Sequence, residues 1–176
     1  SGITSPYTIS SLAAGTYSFT ITDANSSTVT GNGTVNLLPV TNITQSLYYA
    51  TIQAAIDAAT AGDVIEICSG TYTENAIVNK SLTIDGAGST CGGVVIEGGG
   101  SLAYGFRIPA GVENVTIRDI TIQNTVGTGG GIDAYYGNDG LVLQRLCLIN
   151  TSGLGAIKLQ GPVDNVTIDN CEVSGS

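Results

Sequence analysis

The sequence predicts an all-β protein: a right-handed parallel β-helix (a solenoid) with a short N-terminal capping helix, preceded by a smaller β segment. Three observations carry that expectation. Residues 114–124, 140–150 and 165–175 align at offsets of 26 and then 25 residues, with apolar residues in the same columns. A second block keeps this register in Phe106/Ile108, Ile132/Ala134 and Ile157/Leu159. A single amphipathic stretch stands just ahead of a succession of short β segments.

Composition narrows the class. Of 176 residues, 42% are hydrophobic and 11% charged, the reverse of a disordered polyampholyte. The 25 glycines follow no G-X-Y period, which excludes collagen. Five Lys+Arg against fourteen Asp+Glu give a net charge of −9, so nucleic acid and anionic membrane are poor partners. Without histidine there is no imidazole base, His-based triad or imidazole-bound metal. No apolar run approaches the ~18 residues needed to span a bilayer. No signal-peptide pattern and no initiator Met opens the chain, which reads as a mature or excised piece of something longer.

The elements follow in order. Thr16–Thr22 alternates polar and apolar residues as a half-buried strand does, and Asp23–Ser27 supplies a turn. Thr28–Leu38 gives a further strand, broken at Gly31-Asn32-Gly33. So few strands cannot bury a core, so residues 1–40 need a neighbour. The string Leu12-Ala13-Ala14-Gly15-Thr16-Tyr17, continuing to Ile21-Thr22-Asp23-Ala24-Asn25, resembles the closing half of the Ig-like repeats of gliding-motility adhesins. The resemblance implies the C-terminal part of an Ig-like sandwich from a large Bacteroidota surface protein exported by type IX secretion.

Residues 41–176 are expected to form the N-terminal coils of the solenoid. A helix is predicted over 51–61, with Ile52, Ala55, Ile56 and Ala59 on one face, Thr51 as N-cap and Gly62 at the C-cap. In each later coil two inward residues, a polar corner and two more inward residues follow one another. Stacking then turns each position into a ladder: Val115/Leu141/Val166, Ile117/Leu143/Ile168 and Ile120/Leu146/Cys171. About five or six coils are expected at the ~4.8 Å strand spacing. The helix would cover the exposed backbone edge of the first coil. The segment Tyr49–Ala59, with Ala61–Ile65 and Gly70–Asn75, is similar to the opening of pectin-lyase-like β-helix proteins, a superfamily of polysaccharide enzymes and non-catalytic surface proteins. No C-terminal cap is visible at Ser176, so more chain or another molecule is expected to cover that end.

Catalytic constellations implied by that resemblance are missing. Ile120–Gly127 resembles the strand before a methylesterase site, but the next coil offers Gly131–Tyr136 without the required Gln and aspartate pair. Asp133 reads as a solvated side chain beside a turn. Hydrolysis needs clustered acids, whereas Asp119, Asp133, Asp139, Asp164 and Asp169 are dispersed. Lyase chemistry needs Ca²⁺ held by several carboxylates; Asp119, Asp169, Arg118 and Arg145 read instead as a solvated, charge-paired corner. No cofactor is expected, and no clear Ca²⁺ site is present. The outward columns Thr116/Val142/Thr167 and Thr121/Cys147/Glu172 are too irregular for an ice-binding array. Gly129-Gly130-Gly131 lacks the context of a phosphate loop.

The binding candidates are Tyr135, Tyr136 and Asp133, in the Gly-rich connection 127–140, with Tyr48, Tyr49 and Tyr104 as further sugar-stacking tyrosines. Asn124 and Asn150 align as an amide ladder. Cys68 and Cys91 lie about one coil apart and are the disulfide candidate. Cys171 falls in an inward column and Cys147 in an outward one, predicting a buried and an exposed thiol. Seven N-x-[ST] sequences (Asn25, Asn32, Asn42, Asn79, Asn114, Asn150, Asn165) read as Asn/Thr-rich turns that, in a bacterial protein, do not imply glycosylation. The functional expectation is a structural or adhesive segment of a large extracellular surface protein, built into an oligomeric appendage. Its expected partners are copies of itself, neighbouring domains of the same chain, and cell-surface glycans. The alternative is a polysaccharide-binding or polysaccharide-degrading β-helix whose working coils are absent or degenerate.

Overall fold

The structure, a computed structural model, describes residues 15–35, 38–86 and 93–175. Leu12–Ala14 of the adhesin-like string and Cys91 lie outside the described residues. The chain divides into two units between Leu37 and Leu38. That is slightly ahead of the expected boundary, because Val40 is fully buried and pairs with Ile67 of the second unit.

In the first unit β1 (Gly15–Thr22) pairs antiparallel with β2 (Thr28–Val35). The turn is held by the Asp23 carboxylate, which accepts the N–H groups of Asn25 and Ser27 at 2.8 Å each. The expected break at Gly31–Gly33 does not occur. Gly31 stands opposite Phe19, and a Cβ there would lie 2.5 Å from the Phe19 ring, so the glycine makes room for the aromatic across the pair.

The second unit begins with β3 (Val40–Asn42), β4 (Leu47–Tyr49) and the helix α1 (Ile52–Ala58). The solenoid then winds through β5 (Val64–Ile67), β6 (Gly70–Tyr72) and β7 (Ala76–Ile77). The second coil is β8 (Thr83–Asp85), β9 (Val94–Glu97) and β10 (Phe106–Ile108). The third is β11 (Thr116–Arg118), β12 (Ile120–Gln123) and β13 (Ile132–Ala134). The fourth is β14 (Val142–Gln144), β15 (Cys147–Ile149) and β16 (Ile157–Leu159). β17 (Thr167–Asp169) and β18 (Glu172–Ser174) open a fifth. Four complete coils are therefore described. Each contributes one strand to each of three parallel sheets: a first sheet β17-β14-β11-β8-β5, a second β18-β15-β12-β9-β6, and a third β16-β13-β10-β7.

The inward columns form one continuous core. Ile65, Ile84, Ile117 and Leu143 stack in register and are all fully buried, while Ile168, next in line, is half exposed. Val115 and Leu141 are buried with Val166 packed against them, and Ile120 and Leu146 are buried with Cys171 half-buried beyond. Each coil lends its neighbour the second apolar surface it lacks.

Two features of the first coil differ from expectation. The backbone edge of β5 is paired by β3, antiparallel from Val40↔Ile67 to Asn42↔Ile65, and β3 is paired in turn by β4. Strands rather than the helix satisfy that edge. The helix packs against β3, β4, β5 and β7 through Ile52, Ala55 and Ile56. Its last residue is Ala58, not Ala61: Ala59 is already extended, because the Asp63 carboxylate takes the Thr60 N–H (2.8 Å) and turns the chain toward β5. Gly62 (φ +93°) belongs to that turn, so it is not the helix cap. The helix ends are tied down from the coils. Thr51 Oγ1 accepts the Ala54 N–H, Glu74 accepts those of Ile52 and Gln53, and Lys80 donates to the carbonyls of Asp57 and Ala59.

The coils turn their corners with left-handed residues. Asn114, Gly140 and Asn165 precede the first sheet; Asp119, Arg145 and Asn170 lie between the first and second; Asn124, Asn150 and Gly175 follow the second. Every one has a positive φ. Asn, Asp and Gly tolerate that conformation best, so the Asn-rich corners of the sequence have a steric cause.

Candidate functional site

Outward-facing polar groups gather in three places. The first is the outer face of the third sheet. Parallel register places Arg107, Asp133 and Lys158 in one outward column. Asp133 sits between two cations and is 1% exposed. Its Oδ2 accepts from Arg107 Nε at 3.0 Å and lies 2.9 Å from Nη2; its Oδ1 accepts from Gln160 Nε2 at 2.6 Å, with Lys158 Nζ at 3.7 Å. The Arg107 guanidinium lies 4.0 Å above the Tyr104 ring and 5.7 Å from that of Tyr135. Asp133 is thus mid-strand and buried under its partners, not solvated beside a turn.

The second place is the corner between the first and second sheets. Arg145 makes two hydrogen bonds of 2.6 Å to the Asp119 carboxylate, and Arg118 binds Asp85 through Nε (2.9 Å) and Nη2 (2.6 Å). The pairing anticipated for this corner exists, but Asp119 is buried rather than solvated. The hydrogen bond to Asp119 raises the Arg145 pKa further above its ordinary value. Asp169 is exposed and bonds Asn170.

The third is an open groove of about 450 Å³ beside the second sheet, bordered by Glu97, Asn124, Thr125, Asn150 and Ser152. Asn150 Nδ2 donates to Asn124 Oδ1 (3.2 Å), and Asn124 Nδ2 donates to both Glu97 oxygens (3.0 and 3.1 Å). The amide ladder therefore ends on a carboxylate. The Gln123 amide above all, then the Gly99 N–H and Asn124, hold the Glu97 pKa below its ordinary value.

Of the expected binding residues, Tyr136 is 61% exposed just beyond β13, Tyr135 is half-buried beside Arg107, and Asp133 is saturated by ion pairs. Tyr48 is exposed and Tyr49 half-buried, but Tyr104 is buried under Arg107 and offers no free ring face on that side. Arg107, Lys158 and Gln160 escaped notice in the sequence. The signal was there, since the register that pairs Phe106, Ile132 and Ile157 also aligns the next residue of each strand.

The cysteines depart from expectation. Cys68 carries a free thiol, so the Cys68–Cys91 bridge is not formed. Cys147 is 2% exposed and disulfide-bonded, and Cys171 is a free, half-buried thiol. Although the Cys147 column points outward, the second sheet's outer face is covered at this level, as the burial of Thr121 in the same column shows.

Chemically, these groups bind one another. Asp85, Asp119 and Asp133 are in ion pairs and Glu97 is held by amides. Among the described residues, no three Cys, Asp or Glu side chains converge as a metal site, and no helix is long and apolar enough to cross a membrane.

No protein-family model matches the chain, and no solved structure matches it. Among curated proteins, it is similar to a cell surface glycoprotein of Methanothermus fervidus, 35% identical over 124 residues, which cover 60% of this chain and 20% of that protein. The chain thus spans about one fifth of the length of that relative.

Proposed function

We propose that this chain is a structural segment of a larger cell-surface protein, in which the solenoid serves as a stiff spacer or adhesive element. One observation carries the reading: the chain's three arginines are all spent on bonds between coils. Arg107–Asp133, Arg118–Asp85 and Arg145–Asp119 each join neighbouring coils, at 2.9, 2.6 and 2.6 Å. Such links act alongside the backbone ladders against separation of the coils, which suits a load-carrying element better than a catalyst. Similarity to a cell surface glycoprotein supports a surface location. The adhesin-like string and the pectin-lyase-like opening of the sequence support assembly with further domains or with copies of the chain.

The test is to isolate the native particle, weigh it by light scattering and image it by electron microscopy, with protease treatment of intact cells to establish location. A large repeating assembly cut by external protease is the expected result. A monodisperse monomer found inside the cell would overturn the proposal. The second reading is a polysaccharide-contacting surface at Tyr136, favoured by its 61% exposure beside Tyr135. Binding of acidic polysaccharides that Tyr136→Ala abolishes would establish it.

A further inference from the structure

As sequence, the seven N-x-[ST] sites look alike; the structure separates the five that lie in the solenoid. Asn42 is fully buried and its Nδ2 donates to Asp63 (2.7 Å), leaving no room for a substituent. Asn150 is exposed, but its Nδ2 is engaged by Asn124 in the amide ladder. Asn79, Asn114 and Asn165 are exposed, and among the described residues none of their side chains makes a hydrogen bond.

These three share a place in the fold. Asn79 lies between β7 and β8, Asn114 between β10 and β11, and Asn165 between β16 and β17, each at the passage from the third sheet to the first. The one other such passage carries Gly140 where Asn114 and Asn165 stand, with φ +71° against +55° and +56°. The Asn114 amide lies over that glycine: a Cβ there would come within 2.6 Å of Asn114 Oδ1. Asn114 and Asn165 are therefore two coils apart, roughly 10 Å by strand spacing. Asn79 and Asn114 border one depression of about 460 Å³, and Ser81 of the first site donates to the Asn114 carbonyl (3.0 Å).

We infer that Asn79, Asn114 and Asn165 carry N-linked glycans, which line one corner of the solenoid while the Glu97–Asn150 groove stays bare. The inference rests on the surface reading. The hydroxyl residues that complete the three sites are Ser81, Thr116 and Thr167. The donor is an oligosaccharide activated as a phosphate or diphosphate ester, delivered by a transferase. Asn Nδ2 forms a bond to the anomeric carbon, the bond from that carbon to the phosphate oxygen breaks, and the oxygen leaves with the electron pair. Nδ2 gives up one of its two hydrogens as a proton. The linked amide keeps one N–H and remains uncharged, so the coil electrostatics are unaltered.

The experiment is glycopeptide mass mapping of the full natural protein, with Asn79→Gln, Asn114→Gln and Asn165→Gln produced in the same host. Sugar on all three peptides is expected, with each substitution removing one glycan. Sugar on Asn42 or Asn150, or bare peptides at two or more of the three sites, would overturn the inference. Protease treatment of intact cells separates the failures. A surface protein with a bare corner sinks this inference alone; an internal, unglycosylated protein sinks the surface reading with it.

Discussion

The hairpin β1–β2 and the four coils use similar residues to opposite effect. Phe19, Ile21 and Val29 of the hairpin are 48%, 60% and 61% exposed, whereas Ile65, Ile84 and Ile117 of the solenoid are fully buried. Both regions have continuous backbone ladders, on one side of each hairpin strand and on both sides of β11. What differs is the partner for the side chains. Two antiparallel strands have two faces and cover neither, while a coil closes three sheets around its own apolar columns and the next coil seals them. Ladder hydrogen bonds alone therefore do not make a core. Burial does, at about 25 cal/mol per Å² of apolar surface.

The largest effects should come from breaking this contrast in its centre. Ile117→Ala empties a fully buried position between Ile84 and Leu143 and should destabilise the solenoid by about 2–5 kcal/mol. Ile21→Ala, on the exposed hairpin face, should leave the solenoid's melting temperature unchanged. Thermal melts of the full chain followed by circular dichroism check both, and equal losses would show that the hairpin face is covered in solution.

How far the sequence announced this contrast depends on the coil. Paired residues of the first sheet stand 26 and 25 positions apart from β11 to β17, and those constant offsets made the ladders readable. From β5 to β11 the offsets are 19 and 33, so no alignment of the first two coils was visible. Strands β3 and β4 are too short, at three residues each, to leave a period. Asp133 misled because charge alone argues for exposure; only its place between Arg107 and Lys158 in the column says otherwise. The Asn corners announced turns, but a turn signal does not say which amides are spoken for, as Asn150 is and Asn165 is not.

Asp133 supplies the next test. Asp133→Ala leaves Arg107 and Lys158 facing each other without their shared anion. Both cations are partly hydrated, at 31% and 19% exposure, so the cost should fall below that of breaking a fully buried pair, at about 2 kcal/mol. Adding Arg107→Met should recover part of it. A double-mutant cycle from urea denaturation measures the coupling, and strictly additive losses would show that the ion pair contributes nothing of its own.

Acid should also separate the regions. Asp63 is held below its ordinary 3.8 by the Asn42 side chain first, then by the Thr60 N–H, and Glu97 below 4.5 chiefly by Gln123. A depressed folded pKa contributes stability that is present above the unfolded value and is lost as pH falls through the folded one. The solenoid should therefore lose stability as pH drops below about 4, and Asn42→Ala should flatten that loss. Melting temperatures between pH 7 and 3 test this; an unchanged slope in Asn42→Ala would exclude Asp63 as a source.

The smallest effects should have opposite signs in the two regions. Gly140, at φ +71°, holds a corner that an alanine enters only with strain, so Gly140→Ala should destabilise the solenoid by about 1 kcal/mol. Arg145 occupies the neighbouring corner of the same coil at φ +49°, so such strain is bearable where an ion pair compensates it. Gly33 of the hairpin has no such backbone demand, and a Cβ there would meet nothing within 4 Å. Gly33→Ala removes freedom from the unfolded chain without a clash and should stabilise the hairpin by about 0.4–1 kcal/mol. Amide exchange resolved by strand is the right measurement, because a global melt reports the coils. Slower exchange in β1 and β2 with unchanged protection in β11 and β14 would show that the hairpin opens on its own; a matching rise in the coils would show that the two open together.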